Sequence, residues 1–207
     1  MKVSYRHFNA EEAWQNMICM YDWYWKENAS RFGYKNVSIW TPDWKECIDA
    51  FADPDRQRIK LLRHDFISKI YNEKDLSKHD EYIESTMVPD LELFADFFGA
   101  IMKRQGFGIP GSCGIWSTYG RGGSYNYETP RIILRISQID DSARIGLIAK
   151  HEFVHIMIEK PIIQRYNIPQ DVKESIVDII CEQYFDKQTQ NFPILPFVRK
   201  YTDKDAI

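Results

Sequence analysis

The sequence predicts an α+β fold, helical first and mixed after, on three observations. Apolar residues recur at helical spacing through most of the first hundred positions. Most of the chain's ten glycines then fall between residues 106 and 126, where helix is disfavoured. Beyond them "RIILRIS", residues 131 to 137, alternates as a strand does, and two further stretches return to a helical period. The expected organisation is a helical lobe at 1–105, a core at 106–190 that carries the chemistry, and an irregular tail at 191–207, all of it small enough for one compact domain.

Each element has its own reason. From Glu11 to Asn28, Trp14, Met17, Ile18, Tyr21 and Trp25 form one apolar stripe, which makes this Trp-rich stretch core rather than a sugar platform. Thr41-Pro42 reads as an N-cap with proline at the first helical position, opening a helix toward Phe51. Asp53-Pro54 repeats the signal for a helix reaching about Tyr71, and the charged stretch 72–86 suits a loop or a solvated helix. Pro89 opens another helix through Phe94, Phe97, Phe98 and Ile101, ending near Gly106. "GRGGSYNY", residues 120 to 127, matches no phosphate-binding pattern and reads as a mobile loop near the cleft. In the strand, Ile132, Leu134 and Ile136 alternate with Arg131, Arg135 and Ser137, and the arginines suit an edge position. Asp140, Asp141 and Ser142 are cap candidates for the next helix, which should end near Lys160 ahead of Pro161. Pro169 can start a last helix, running to about Lys187.

Composition narrows the function classes. Twelve Phe, twelve Tyr and six Trp supply a core without disulfides. Cys19, Cys47, Cys113 and Cys181 form no CxxC pair, which removes zinc-ribbon and thioredoxin readings and leaves reduced, mostly buried thiols. A net charge of −3 argues against a nucleic-acid binder, which needs a concentrated basic face. No run approaches the roughly 18 apolar residues of a membrane span. The opening "MKVSYRHFNAEEAW" lacks the apolar stretch of a signal peptide, so a cytoplasmic location is expected.

The chemistry concentrates in "IAKHEFVHIMIEKP", residues 148 to 161. On a helix, His151 and His155 are i,i+4 neighbours with Cβ atoms about 5–6 Å apart, so two imidazoles can serve one metal ion. Glu152 lies one residue round the helix, where it can reach a water on that metal and act as general base. Catalytic zinc generally takes three protein ligands and leaves a position for water. Glu174 and Asp178, also i,i+4, sit on one face of the last expected helix. Glu174 can complete a His2Glu site, with Glu159, Asp171 and Glu182 as competitors. Asp178, inside the apolar run Ile176, Val177, Ile179, Ile180, needs a partner if buried and can accept the distal N–H of a liganding histidine. His64-Asp65 and His79-Asp80 are too isolated to make a phosphohydrolase site, and are expected as solvated helix residues.

The pattern H-E-x-x-H, eighteen intervening residues, then E-x-x-x-D resembles the gluzincin metallopeptidases, the class that includes thermolysin, over about residues 148 to 182. The resemblance implies a zincin-like layout: a small sheet whose edge strand meets an extended substrate, an active-site helix and a carboxy-terminal glutamate helix. It implies zinc on His151, His155 and Glu174, Glu152 as general base, Asp178 as the supporting carboxylate, and hydrolysis of a peptide or protein substrate. A tyrosine between the two site helices serves as oxyanion stabiliser in thermolysin-like enzymes, and Tyr166 holds that place here, with Arg165, Tyr184, Tyr125 and Tyr127 as competitors. Thermolysin-like enzymes are considerably larger, and most of this chain precedes the motif. Two rival functions follow from the same residues: a metal-dependent amidase on a non-protein substrate, and a regulatory or binding protein whose zinc is structural or weakly active.

Overall fold

A computed structural model describes residues 1–28, 41–137 and 140–185. Its centre is a four-stranded mixed sheet of β1 (Lys2–His7), β2 (Ser112–Tyr119), β3 (Gly122–Asn126) and β4 (Arg131–Ile136), in the order β1-β2-β4-β3. β1, β2 and β4 run parallel, with Lys2 opposite Ser112 and Gly114 opposite Arg131. β3 runs antiparallel to β4, Gly123 opposite Leu134 and Tyr125 opposite Ile132. Between them Asn126 Oδ1 accepts from the backbone N–H groups of Glu128 and Thr129, a side-chain-closed turn.

Two expectations reverse here. The strand at 131–137 is internal, and the edge belongs to β3, formed by the stretch expected to be a loop. β4 can be internal because both of its faces are covered. Ile132, Leu134 and Ile136 face one core, Ile133 faces another, and Arg135 is only 3% exposed, its guanidinium donating to Ser124 Oγ at 3.2 Å. The expected helical lobe is also not wholly helical: β1 comes from it and lies on the far edge of the same sheet.

Helices cover both faces. On one side α1 (Ala10–Trp23), a π turn at Tyr24–Asn28, α2 (Lys45–Phe51) and α3 (Arg56–Leu61) bury Trp14, Met17, Tyr21, Cys47, Phe51 and Ile59 against Phe8, Trp116 and Ile133. A capping box starts α1: Asn9 Oδ1 accepts from Glu12 N, and Glu12 Oε2 accepts from Asn9 N. α2 starts at Lys45 rather than at Pro42, and the cap of α3 is Asp55 rather than Asp53, accepting from Gln57 N. On the other side α4 (Val88–Arg104), α5 (Ser142–Ile158) and α6 (Gln170–Tyr184) pack Leu91, Phe94, Ala149, Phe153, Val154, Met157 and Val177 on Val3, Ile115, Ile132 and Leu134. So α4, from the first hundred residues, shares a core with both site helices.

Residues 73–87 are a run of short helical turns with a solvated charged face, as expected of a solvated helix, and one buried stripe, Leu76, His79, Ile83 and Met87; His79, expected to be solvated, is on the buried side. His79 Nδ1 is 3.0 Å from Ser142 Oγ. Asp80 accepts from Tyr5 Oη at 2.9 Å and lies 3.1 Å from His7 Nε2, which ties this run to β1. His64 is exposed, as expected. Cys47, Cys113 and Cys181 are buried free thiols and Cys19 is exposed.

α5 is capped by Asp141, whose Oδ1 accepts from Arg144 N at 2.7 Å. The chain does not break at Pro161. It widens into a π turn over Glu159–Gln164, which accommodates a residue with no N–H to donate. α6 follows Pro169 and ends at Tyr184, and the expected tail at 191–207 lies outside the described residues. Among the described residues no helix is long and apolar enough to cross a membrane.

Candidate metal centre

α5 and α6 pack side by side, each presenting an i,i+4 pair to the other. His151 Nε2 and His155 Nε2 are 3.1 Å apart. Glu174 Oε2 reaches them from α6 at 3.3 Å from His151 Nε2 and 3.2 Å from His155 Nε2. Gln170 donates to the other oxygen, Glu174 Oε1, and so fixes the carboxylate's orientation. The fit to zinc can be tested on these separations. Donors at about 2.0–2.1 Å from a tetrahedral ion stand roughly 3.3 Å from one another, which is close to what all three pairs show. Two aromatic nitrogens and a carboxylate oxygen are also a donor set that zinc favours. His151, His155 and Glu174 fit the ion.

The supporting groups differ between the two histidines. Asp178, 7% exposed, places Oδ1 3.3 Å from His151 Nδ1, on the ring edge away from the ligand atom. His155 has no such partner: its Nδ1 is buried without a hydrogen bond to any described residue. Its ring instead lies flat against Tyr125, centroids 4.6 Å apart and planes 6° from parallel. Tyr125 Oη donates to Glu159 Oε2 at 3.0 Å and accepts from Lys173 Nζ at 2.9 Å.

Charge is organised to match. Burial lowers the pKa of His151, but Asp178 and Glu174 outweigh it and raise the group to about 9. Burial lowers that of His155, despite Glu174. Burial pushes Glu174 up, yet its hydrogen bonds with His151 and His155 prevail and hold it well below the usual carboxylate range. The cluster therefore favours positive charge beside Glu174, carried by His151, and a metal bound there would displace the proton of that imidazole. Burial raises Glu152 to about 7, opposed by the charges of His151 and Arg135. Arg135 is lowered to about 10 by its own burial.

Glu152 lies under β3. A Cβ at Gly123 would stand 2.6 Å from Glu152 Cγ, 2.7 Å from Ile148 Cγ2 and 2.9 Å from Glu152 Oε1, so only glycine lets the edge strand come this close to the carboxylate.

The structure thus brings together His151, Glu152, His155, Glu174 and Asp178. Glu159 is turned to Tyr125 and Gln164, and Asp171 and Glu182 are exposed. Tyr166 is not part of this cluster. It is 64% exposed on the turn after α5, with the Arg165 guanidinium 5.8 Å from its ring. Gly123 and Lys173 were not singled out from sequence. A signal for Gly123 existed in the alternation "SYNY" after two glycines, which reads as a short strand once a neighbour is known. Nothing local marks Lys173. Compared with known protein families, with curated proteins and with solved structures, the chain has no match.

Proposed function

We propose that this protein is a zinc-dependent peptidase, with zinc held by His151, His155 and Glu174 and with Glu152 as general base. One observation carries the reading: three ligand atoms within 3.1–3.3 Å of one another, with a half-buried carboxylate outside that set on the residue after His151. A structural site has no use for that carboxylate.

When bound, zinc supplies Lewis acidity and lowers the pKa of water toward about 7. Glu152, itself raised to about 7, is matched to take a proton from that water and return it to the leaving amine. Asp178 holds the His151 ring so that Nε2, not Nδ1, faces the site. β3 is a sheet edge directly over Glu152, and its free backbone groups suit an extended chain laid alongside. A zincin-like arrangement of edge strand, motif helix and glutamate helix is the layout this reading assumes.

Glu152→Gln separates catalysis from metal binding. The variant is expected to keep its zinc and to lose at least about 100-fold in turnover on a peptide library, as removal of a general base does. A wild-type protein that binds zinc, cleaves no peptide and is indistinguishable from Glu152→Gln would defeat the peptidase reading.

A further inference from the structure

We propose that Tyr125 is the positioning residue of His155, doing by stacking what Asp178 does for His151 by charge. The inference rests on the metal reading of His151, His155 and Glu174. It starts from an asymmetry. A liganding imidazole is ordinarily aimed through a hydrogen bond at its distal nitrogen, and Asp178 stands 3.3 Å from that atom of His151. His155 Nδ1 is buried with no such partner among the described residues. With Nε2 on Glu174, a further contact is needed to hold the plane of the ring.

Tyr125 is placed to do this. Its ring covers His155 at 4.6 Å and 6°, a parallel contact that confines the imidazole to one plane. A stacking partner can orient a ring only if it is itself fixed, and Tyr125 is fixed at both ends. Its backbone lies in β3, paired with β4 opposite Ile132. Its hydroxyl donates to Glu159 and accepts from Lys173, and both of those side chains are only 10% exposed. Lys173 and Glu159 are 3.7 Å apart. A buried ion pair of this kind is weak as a source of stability, and apolar residues often replace one without loss. Its location suggests another use. Glu159 follows the last turn of α5, and Lys173 precedes the ligand Glu174 on α6. Through one phenol oxygen the pair ties both site helices to the edge strand. The orientation of His155 is thereby coupled to the spacing of the helices that hold all three ligands.

The test compares wild type, Tyr125→Phe and Tyr125→Leu by zinc titration against a competing chelator and by the visible absorption of the Co2+-loaded protein. Those bands respond to ligand orientation, which a merely structural role would leave unchanged. Tyr125→Leu removes the stack and is expected to weaken zinc by about 10-fold or more, the usual scale for an outer residue that aims a ligand. Tyr125→Phe keeps the ring but frees its tip, and should shift affinity and spectrum in the same direction by less. Wild-type affinity and an unchanged Co2+ spectrum in Tyr125→Leu overturn the proposal. If that variant does not fold, an unchanged spectrum and affinity in Tyr125→Phe overturn it. A wild type that binds neither zinc nor Co2+, and is matched by His151→Ala, removes the metal reading itself.

Discussion

The two faces of the sheet are packed with different material. Against Trp116 and Ile133 lie Trp14, Tyr21, Phe51 and Phe66, large rings that meet one another edge-on or tilted, with Tyr21 and Phe51 centroids 5.4 Å apart at 80°. Against Ile132 and Leu134 lies an aliphatic and aromatic core whose margin, toward β3, carries His151, Glu152, His155, Glu159, Lys173 and Asp178. Burying those groups costs free energy unless each finds a partner. The first face is filled mainly by apolar rings, with Tyr21 and Trp25 hydrogen-bonded to backbone carbonyls and Arg135 at its border, whereas the margin of the second is filled by groups that need a cation, a carboxylate or a fixed ring. Substitutions on the first face should therefore change stability and leave the metal site alone, and those at the margin should do the reverse.

The largest stability effect is expected on the first face. Phe51 is fully buried against the rings of Tyr21 and Tyr24, and Phe51→Ala should cost about 3–5 kcal/mol of unfolding free energy in a urea titration. Zinc affinity of the folded fraction should be unchanged, and a parallel loss of zinc would break the contrast between the faces. Gly123→Ala lies on the boundary. Its methyl meets Ile148 and Glu152 at under 3 Å, so it should destabilise by about 1–3 kcal/mol and displace Glu152. Turnover should fall more than zinc affinity, and the opposite order would place Glu152 outside the working site. The smallest effect on folding is expected from Asp178→Asn, which keeps the side chain's size. It should lower zinc affinity about 10-fold with little change in melting temperature, because its loss misdirects His151 rather than opening a cavity.

Much of the second face was legible, since its information is local. A cap among Asp140, Asp141 and Ser142, His151 and His155 four residues apart, and Glu174 with Asp178 at the same spacing are all read along single helices. Their meeting required only that two neighbouring helices pack. The sheet was not legible in the same way. β1 and β2 are joined in parallel across more than a hundred residues, so no turn announces the pair, and Gly114 interrupts the pattern of "SCGIWSTY". β4 looked like an edge because Arg131 and Arg135 look like surface residues. Arg131 lies over the Trp116 ring at 4.4 Å, and Arg135 is enclosed between the strand and α1 with Met20 Sδ 3.3 Å away, contacts that a strand's own sequence does not display. Likewise the charges between 72 and 86 concealed one buried stripe, Leu76, His79, Ile83 and Met87, that holds this run on the core. Tyr125 was one of several tyrosines near the motif, and only the fold distinguishes the one stacked on His155 from Tyr166 on the outer turn.

Metal content measured on the purified wild type, His155→Ala and Glu174→Ala tests most directly whether α5 and α6 together hold one zinc ion. The expected result is one zinc per wild-type chain, none in either variant after dialysis, and melting temperatures of the metal-free proteins close to one another. A wild type without stoichiometric zinc, or a Glu174→Ala variant that keeps it as tightly, would contradict the assignment of the site.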